Sequence, residues 1–172
     1  AVIGFGMAGV WHAGVLSANG DAELVAICDA LPENLPDARD QFDVPTYEDT
    51  AELLASESLD SVHVCTPPDT HVDIAEPFLR ESIPVLIEKP LATNTDDVRK
   101  LIRIAEETGT TASVIHNKLF TPPVQRALSV VENGGIGQVT GATMLFGEHR
   151  DLSKTERGDW VFDLPGGEIG EG

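Results

Sequence analysis

Two short stretches of this sequence hold residues whose spacing can do chemistry: Gly4-Phe5-Gly6-Met7-Ala8-Gly9 near the start, and Glu88-Lys89-Pro90 at the centre. The first places glycine at its first, third and sixth positions, between an apolar strand-like run (1–3) and a helix-like run (7–17). In that context Gly4 permits a tight turn, Gly6 lets a phosphate-bearing ligand approach the backbone, and Gly9 lets the helix pack close to the strand. The helix start then offers free N–H groups and the positive end of its dipole. The implied ligand is a dinucleotide whose pyrophosphate lies on Gly4, Phe5, Gly6, Met7, Ala8 and Gly9; a turn serving packing alone is the other reading. Asp29 closes the next apolar run, 20 residues after Gly9. A carboxylate there accepts hydrogen bonds from ribose hydroxyls and repels a 2′-phosphate, which favours NAD over NADP. Capping a helix is its alternative use.

The elements that must hold these residues alternate. Strands are expected at 23–28, 44–47, 61–65, 84–88 and 111–115. Helices are expected at 32–41, limited by Pro36, at 50–56, and from Asp69 as cap through Arg80. The clearest helix carries Val98, Leu101, Ile102 and Ala105 as one apolar stripe, with Thr93 or Thr95 as its cap and Gly109 as its stop. Nearly all-apolar strands alternating with helices indicate a parallel sheet covered on both faces. Ligands in such sheets bind at the carboxyl ends of the strands, where Gly4, Asp29, Thr66 and Lys89 all fall. After residue 115 the pattern changes. Pro122-Pro123 opens a helix striped by Val124, Ala127, Leu128 and Val131, and Gly134-Gly135 ends it. Residues 138–146 then alternate as a strand of a different, antiparallel sheet. The expected division is a domain at 1–118 and the beginning of a second at 119–172. Residues 1–3 read as mid-strand and 170–172 as a break inside a motif, so both ends are expected to continue in a longer chain.

Of the 172 residues, 29 are acidic and 11 are Lys or Arg, a net charge of −18. That field repels phosphate backbones and argues against a nucleic-acid partner. It suits a salt-rich cytoplasm, where the Debye length falls to about 3 Å at 1 M salt; an ordinary acidic bacterial enzyme is the alternative. No apolar run approaches the roughly 20 residues of a membrane helix. Cys28 and Cys65 lie in apolar runs and read as buried free thiols of a reducing cytoplasm. His63 and Cys65 alternate on one strand face and His71 follows, but no four-ligand metal spacing appears. His12 either packs against the glycine loop or lies on the helix surface.

Three further segments accompany the opening loop: Cys65-Thr66-Pro67-Pro68-Asp69-Thr70-His71, Glu88-Lys89-Pro90, and His116-Asn117-Lys118-Leu119-Phe120-Thr121-Pro122. Together with His12 this ordered set resembles the Gfo/Idh/MocA oxidoreductases, from residue 1 to about 147. The resemblance implies a doubly wound Rossmann domain followed by an α+β domain with a large, open, mostly antiparallel sheet. It implies that Thr66, Pro67 and His71 belong to a loop over the cofactor, that Glu88 faces the nicotinamide side, and that Lys89 reaches the substrate and serves as the acid–base. A lysine acting as base must give up its proton, which burial and the adjacent positive nicotinamide ring both promote. Lys89-Pro90 is a candidate cis bond. His116-Asn117 opens the substrate lobe, with Asn117 among the cofactor contacts. The segment 164–171 resembles the one that supplies an acidic catalytic residue, which makes Glu171 a catalytic candidate, with a histidine expected beyond Gly172. His149, Arg150 and Trp160 are weaker pocket candidates.

The expected function is hydride transfer between NAD and a sugar, polyol or related hydroxy compound in the cytoplasm. The expected assembly is a homo-oligomer through the second sheet. Alternatives are a glycosidase using transient oxidation by NAD, or a dinucleotide sensor without chemistry. Glu88-Lys89-Pro90 speaks against the sensor, which needs no base there.

Overall fold

The structure is a computed structural model and describes residues 1–143. Among them the chain separates into a first unit, Ala1–Ile115, and a second that begins at His116.

The first unit is built on a six-stranded sheet: β1 (Val2–Ile3), β2 (Ile27–Cys28), β3 (Thr46–Tyr47), β4 (Val62–Val64), β5 (Val85–Ile87) and β6 (Ala112–Val114). Their order is β3-β2-β1-β4-β5-β6, and every pair is parallel. The helices are α1 (Met7–Ala18), α2 (Leu35–Phe42), α3 (Thr50–Ser56), α4 (His71–Arg80) and α5 (Thr95–Thr108). The expected Rossmann-type α/β fold is therefore observed.

Side chains alternate across a strand, so a sheet covered on both faces needs apolar residues at successive positions. Val2 and Ile27 pack with Phe5, Ala13, Leu24 and Ala38 in one cluster. Their neighbours Ile3 and Cys28 join Val62, Val64, Val85 and Ile87 against Phe78, Leu79, Leu101 and Ile104 in the other. One face is thus covered by α1 and α2, the other by α4 and α5.

Several local expectations are corrected. The ladder of β2 covers only Ile27–Cys28 instead of 23–28, the two residues that pair with β1 on one side and β3 on the other. Pro36 does not limit a helix. A 3₁₀ turn, Pro32–Asn34, leads into α2, where Pro36 occupies the first turn, a place that needs no N–H donor. Asp69 does not cap α4; Thr70 stands at that position, and its hydroxyl donates instead to Pro67 O at 2.8 Å, with Thr66 Oγ1 also 2.8 Å away. The cap of α5 is Asn94, whose side chain accepts from the amides of Asp96 and Asp97. Gly109 closes α5 in the left-handed conformation as expected.

The second unit opens with a 3₁₀ turn, Asn117–Phe120, followed by α6 (Pro122–Glu132). The Gln125 amide donates to Leu119 O at 2.6 Å and so ties helix to turn. Residues 138–143 form no strand, and 144–146 of the expected strand lie outside the described residues.

Candidate cofactor site

The order of the sheet reverses between β1 and β4, and the crevice at such a switch point is where open α/β sheets bind ligands. The loops leaving these strands lie there by register. Gly4 N–H donates to Cys28 O at 2.8 Å, Cys65 N–H to Ile3 O at 2.7 Å, and Glu88 N–H to Val64 O at 2.9 Å.

The three glycines of the loop have three different reasons. Gly4 has φ +88°, and a Cβ there would stand 2.8 Å from the backbone of both Cys65 and Thr66. A Cβ on Gly9 would stand 1.8 Å from Gly4 O, so helix and strand could not approach as they do. A Cβ on Gly6 meets nothing within 4 Å, and its φ of −76° suits any residue. The folded chain gives no reason for glycine at this position. A phosphate group lying against the loop from outside would.

Electrostatics agree. Helices α2, α3, α4 and α5 each carry an acidic residue in the first turn, whereas α1 carries none, nor a capping side chain on its first amides. Among the described residues only α6 shares this lack, and it opens on Pro122-Pro123, which have no N–H to offer, so in a chain of net charge −18 α1 is the described helix start suited to an anion. The residues fit a dinucleotide pyrophosphate.

Asp29 is buried at the end of β2, and its carboxylate accepts from Phe5 N–H at 2.5 Å and from Leu31 N–H at 2.8 Å. One oxygen thus holds the glycine loop from below. A carboxylate has about four acceptor positions, so capacity remains for ribose hydroxyls.

His71 is fully buried at the start of α4. Its Nε2 lies 2.7 Å from Thr66 O, and its Nδ1 lies 3.1 Å from Pro90 O and 3.3 Å from Leu91 O. The ring therefore joins the loop after β4 to the loop after β5. It reaches the site through Thr66, not by an exposed edge of its own. Thr66, Pro67, Glu88 and Lys89 are half-buried, and the Lys89–Pro90 bond is cis.

One group of polar side chains was not paired by sequence reasoning. His12 Nε2 lies 3.1 Å from Glu88 Oε1, and His12 Nδ1 lies 2.9 Å from His63 Nδ1. Its signal was available. His12 stands three residues after Gly9 and one before buried Ala13, on the sheet-facing stripe of α1. His63, between inward-facing Val62 and Val64, must point to the α1 face. Burial and the neighbouring His12 push the His63 imidazole down to about 4. Burial pushes the Glu88 carboxyl up, but the hydrogen bond and charge of His12, with the amide and charge of Lys89, outweigh it and hold the group below the usual carboxylate range. Burial and then the Glu88 charge raise the Cys65 thiol, and burial with Asp29 raises Cys28 to about 12, so neither is an activated nucleophile.

The structure brings Gly4, Phe5, Gly6, Met7, Ala8, Gly9, Asp29, Thr66, Pro67, Glu88 and Lys89 to one edge of the sheet. Asn117 is exposed and belongs to the second unit. Glu171, with His149, Arg150 and Trp160, lies outside the described residues.

Residues 1–116 match the family model described as oxidoreductase family, NAD-binding Rossmann fold. The chain belongs to the Gfo/Idh/MocA oxidoreductase family. It is 31% identical over 143 residues to an inositol 2-dehydrogenase of Rhizobium meliloti, covering 83% of this chain and 43% of that protein. It is also 31% identical to a myo-inositol 2-dehydrogenase of Thermotoga maritima, over 80% of this chain and 41% of that one. The WlbA dehydrogenase of Bordetella pertussis, solved with NADH and UDP-GlcNAcA, superposes with a TM-score of 0.74 at 28% identity, covering 79% of this chain and 42% of that one. The chain spans less than half the length of these relatives.

Proposed function

We propose that this chain is the cofactor-holding part of an NAD-dependent oxidoreductase that moves a hydride between NAD and a CH–OH group of a sugar, polyol or related compound. The observation that carries this reading is Glu88-Lys89 at the end of β5, on the same sheet edge as a glycine loop whose Gly6 is spacious without a ligand. Bound NAD supplies the hydride acceptor. The amides at the start of α1 hold the pyrophosphate, and Asp29 accepts from the adenosine ribose hydroxyls. The loop of Thr66 and Pro67, braced by His71, would hold the cofactor from above, and Glu88 would stand toward its nicotinamide side. Lys89 takes the hydroxyl proton during oxidation and returns it during reduction.

The remaining parts belong to the same proposal. Residues 119–172 begin a substrate domain with an antiparallel sheet, through which the longer protein forms a homo-oligomer. The family resemblance further assigns Asn117 as a cofactor contact and Glu171 as a catalytic residue. The acidic surface serves a salt-rich cytoplasm.

Inositols are the first substrates to assay, given the names of the relatives. In the full-length protein, Lys89→Ala should lose about a hundredfold or more in NADH formation, the scale of general acid–base catalysis, while retaining NAD binding. Normal turnover by this variant would refute the assignment of Lys89. Turnover without net NADH would assign transient oxidation instead, and tight NAD binding without turnover would assign a sensor.

A further inference from the structure

Three polar side chains from three elements meet behind the glycine loop. His12 comes from α1, the helix that the loop opens. His63 comes from β4 and Glu88 from the end of β5, and both point to the α1 face by strand alternation. The two imidazoles stand edge to face with centroids 5.1 Å apart. Glu88 is held at both oxygens: Oε1 by His12 Nε2 at 3.1 Å, and Oε2 by the backbone N–H of Lys89 at 3.0 Å.

Donor and acceptor arithmetic fixes one end of this chain. An ionised carboxylate only accepts, so Nε2 of His12 carries the proton. The two Nδ1 atoms share one proton: His63 donates it when His12 is neutral, and His12 donates it when its ring is protonated. Buried and held uncharged, His63 can take either part. Hydrogen bonds link His63, His12 and Glu88 in a row, and the far side of Glu88 accepts from the backbone of Lys89.

We infer that His12 is a positioning residue: it aims the Glu88 carboxylate and thereby ties the helix that receives the pyrophosphate to the segment that carries Lys89. Binding at one end and placement at the other become a single structural unit. This rests on the proposed function for what Lys89 does, but its test reads cofactor binding and so stands apart from that reading.

The test is a double-mutant cycle on the full-length protein, with NADH binding followed by fluorescence titration. His12→Phe keeps a ring and loses the donor, and it should weaken NADH about tenfold or more, the scale of a hydrogen bond to a charged group. His12→Gln can still donate to Glu88 and should stay within about threefold of wild type. In Glu88→Gln, adding His12→Phe should cost nothing further. Nitrogen NMR of histidine-labelled wild-type protein should show a protonated Nε2 on His12. Independent effects of the two substitutions, equal damage from Gln and Phe at position 12, or a lone-pair Nε2 on His12 would each overturn the proposal. If His12→Phe does not fold, the Gln variant and the wild-type spectrum decide it. Normal turnover by Lys89→Ala would remove the acid–base reading and leave this cycle intact.

Discussion

Asp29 shows how one side chain serves fold and recognition together. Its carboxylate accepts the amide of Phe5 inside the glycine loop and the amide of Leu31 beyond β2. Its charge is also what would repel a 2′-phosphate. Asp29→Ala should therefore do two things. It should narrow the preference for NADH over NADPH, about tenfold on the scale of one lost charge contact, and it should lower stability by about 1–3 kcal/mol because a buried amide loses its acceptor. Parallel titrations with the two cofactors and a thermal melt separate these effects. Unchanged discrimination would remove Asp29 from the ribose site and leave it a structural tie alone.

Among the elements, α5 is the one whose ends are best defined. Asn94 accepts two amides at its start, and Gly109 turns left-handed at its end. Its Leu101 and Ile104 fill the core shared with α4. Outside that core, Lys100 lies 2.8 Å from Asp73 and 3.0 Å from Glu76 on α4, although such exposed pairs contribute little. Asn94→Ala should cost about 1 kcal/mol, and Asn94→Asp should be near neutral, measured by denaturant unfolding. Equal loss in both variants would show that the cap is not what Asn94 supplies. The same helix marks what a sequence can reveal. Its glycine stop was legible, and so was Leu101 of its stripe, but Ile102 is half-exposed and Ile104 takes the core place beside Leu101, because spacing alone does not say how the helix is rotated on the sheet. Its cap was not legible, since Thr93, Asn94 and Thr95 are all good caps and the backbone turn selects among them. His12 is the corresponding case in the site. Its place on the sheet-facing stripe of α1 was legible, as was the alternation of His63. Their meeting with Glu88 depends on how α1 sits on the sheet, which no local pattern encodes.

At the scale of the whole molecule, the buried imidazole of His63 links folding to pH. Its value falls from the ordinary 6.5 or so to about 4 on folding, so between these values the unfolded chain binds the extra proton. The contribution of a neutral His63 is fully present above about pH 6.5 and is lost as pH falls toward 4. Melting temperature should drop through this window, and His63→Gln should make the drop shallower. An identical pH profile in the variant would show that other groups carry the acid sensitivity. The net charge of −18 works beside this effect: added salt should raise the melting temperature at neutral pH by screening self-repulsion.

The empty space beside Gly6 divides the loop between two kinds of selection. Positions 4 and 9 answer to folding, since a side chain at either collides with backbone. Position 6 answers only to whatever arrives from outside. A library randomised at that codon and sorted for soluble expression should accept many residues. The same library sorted for retention on immobilised NAD should return glycine. A Gly6→Val protein would then be a well-folded molecule blind to its cofactor, and so a reference state in which every other property of the scaffold can be measured with the ligand's influence switched off.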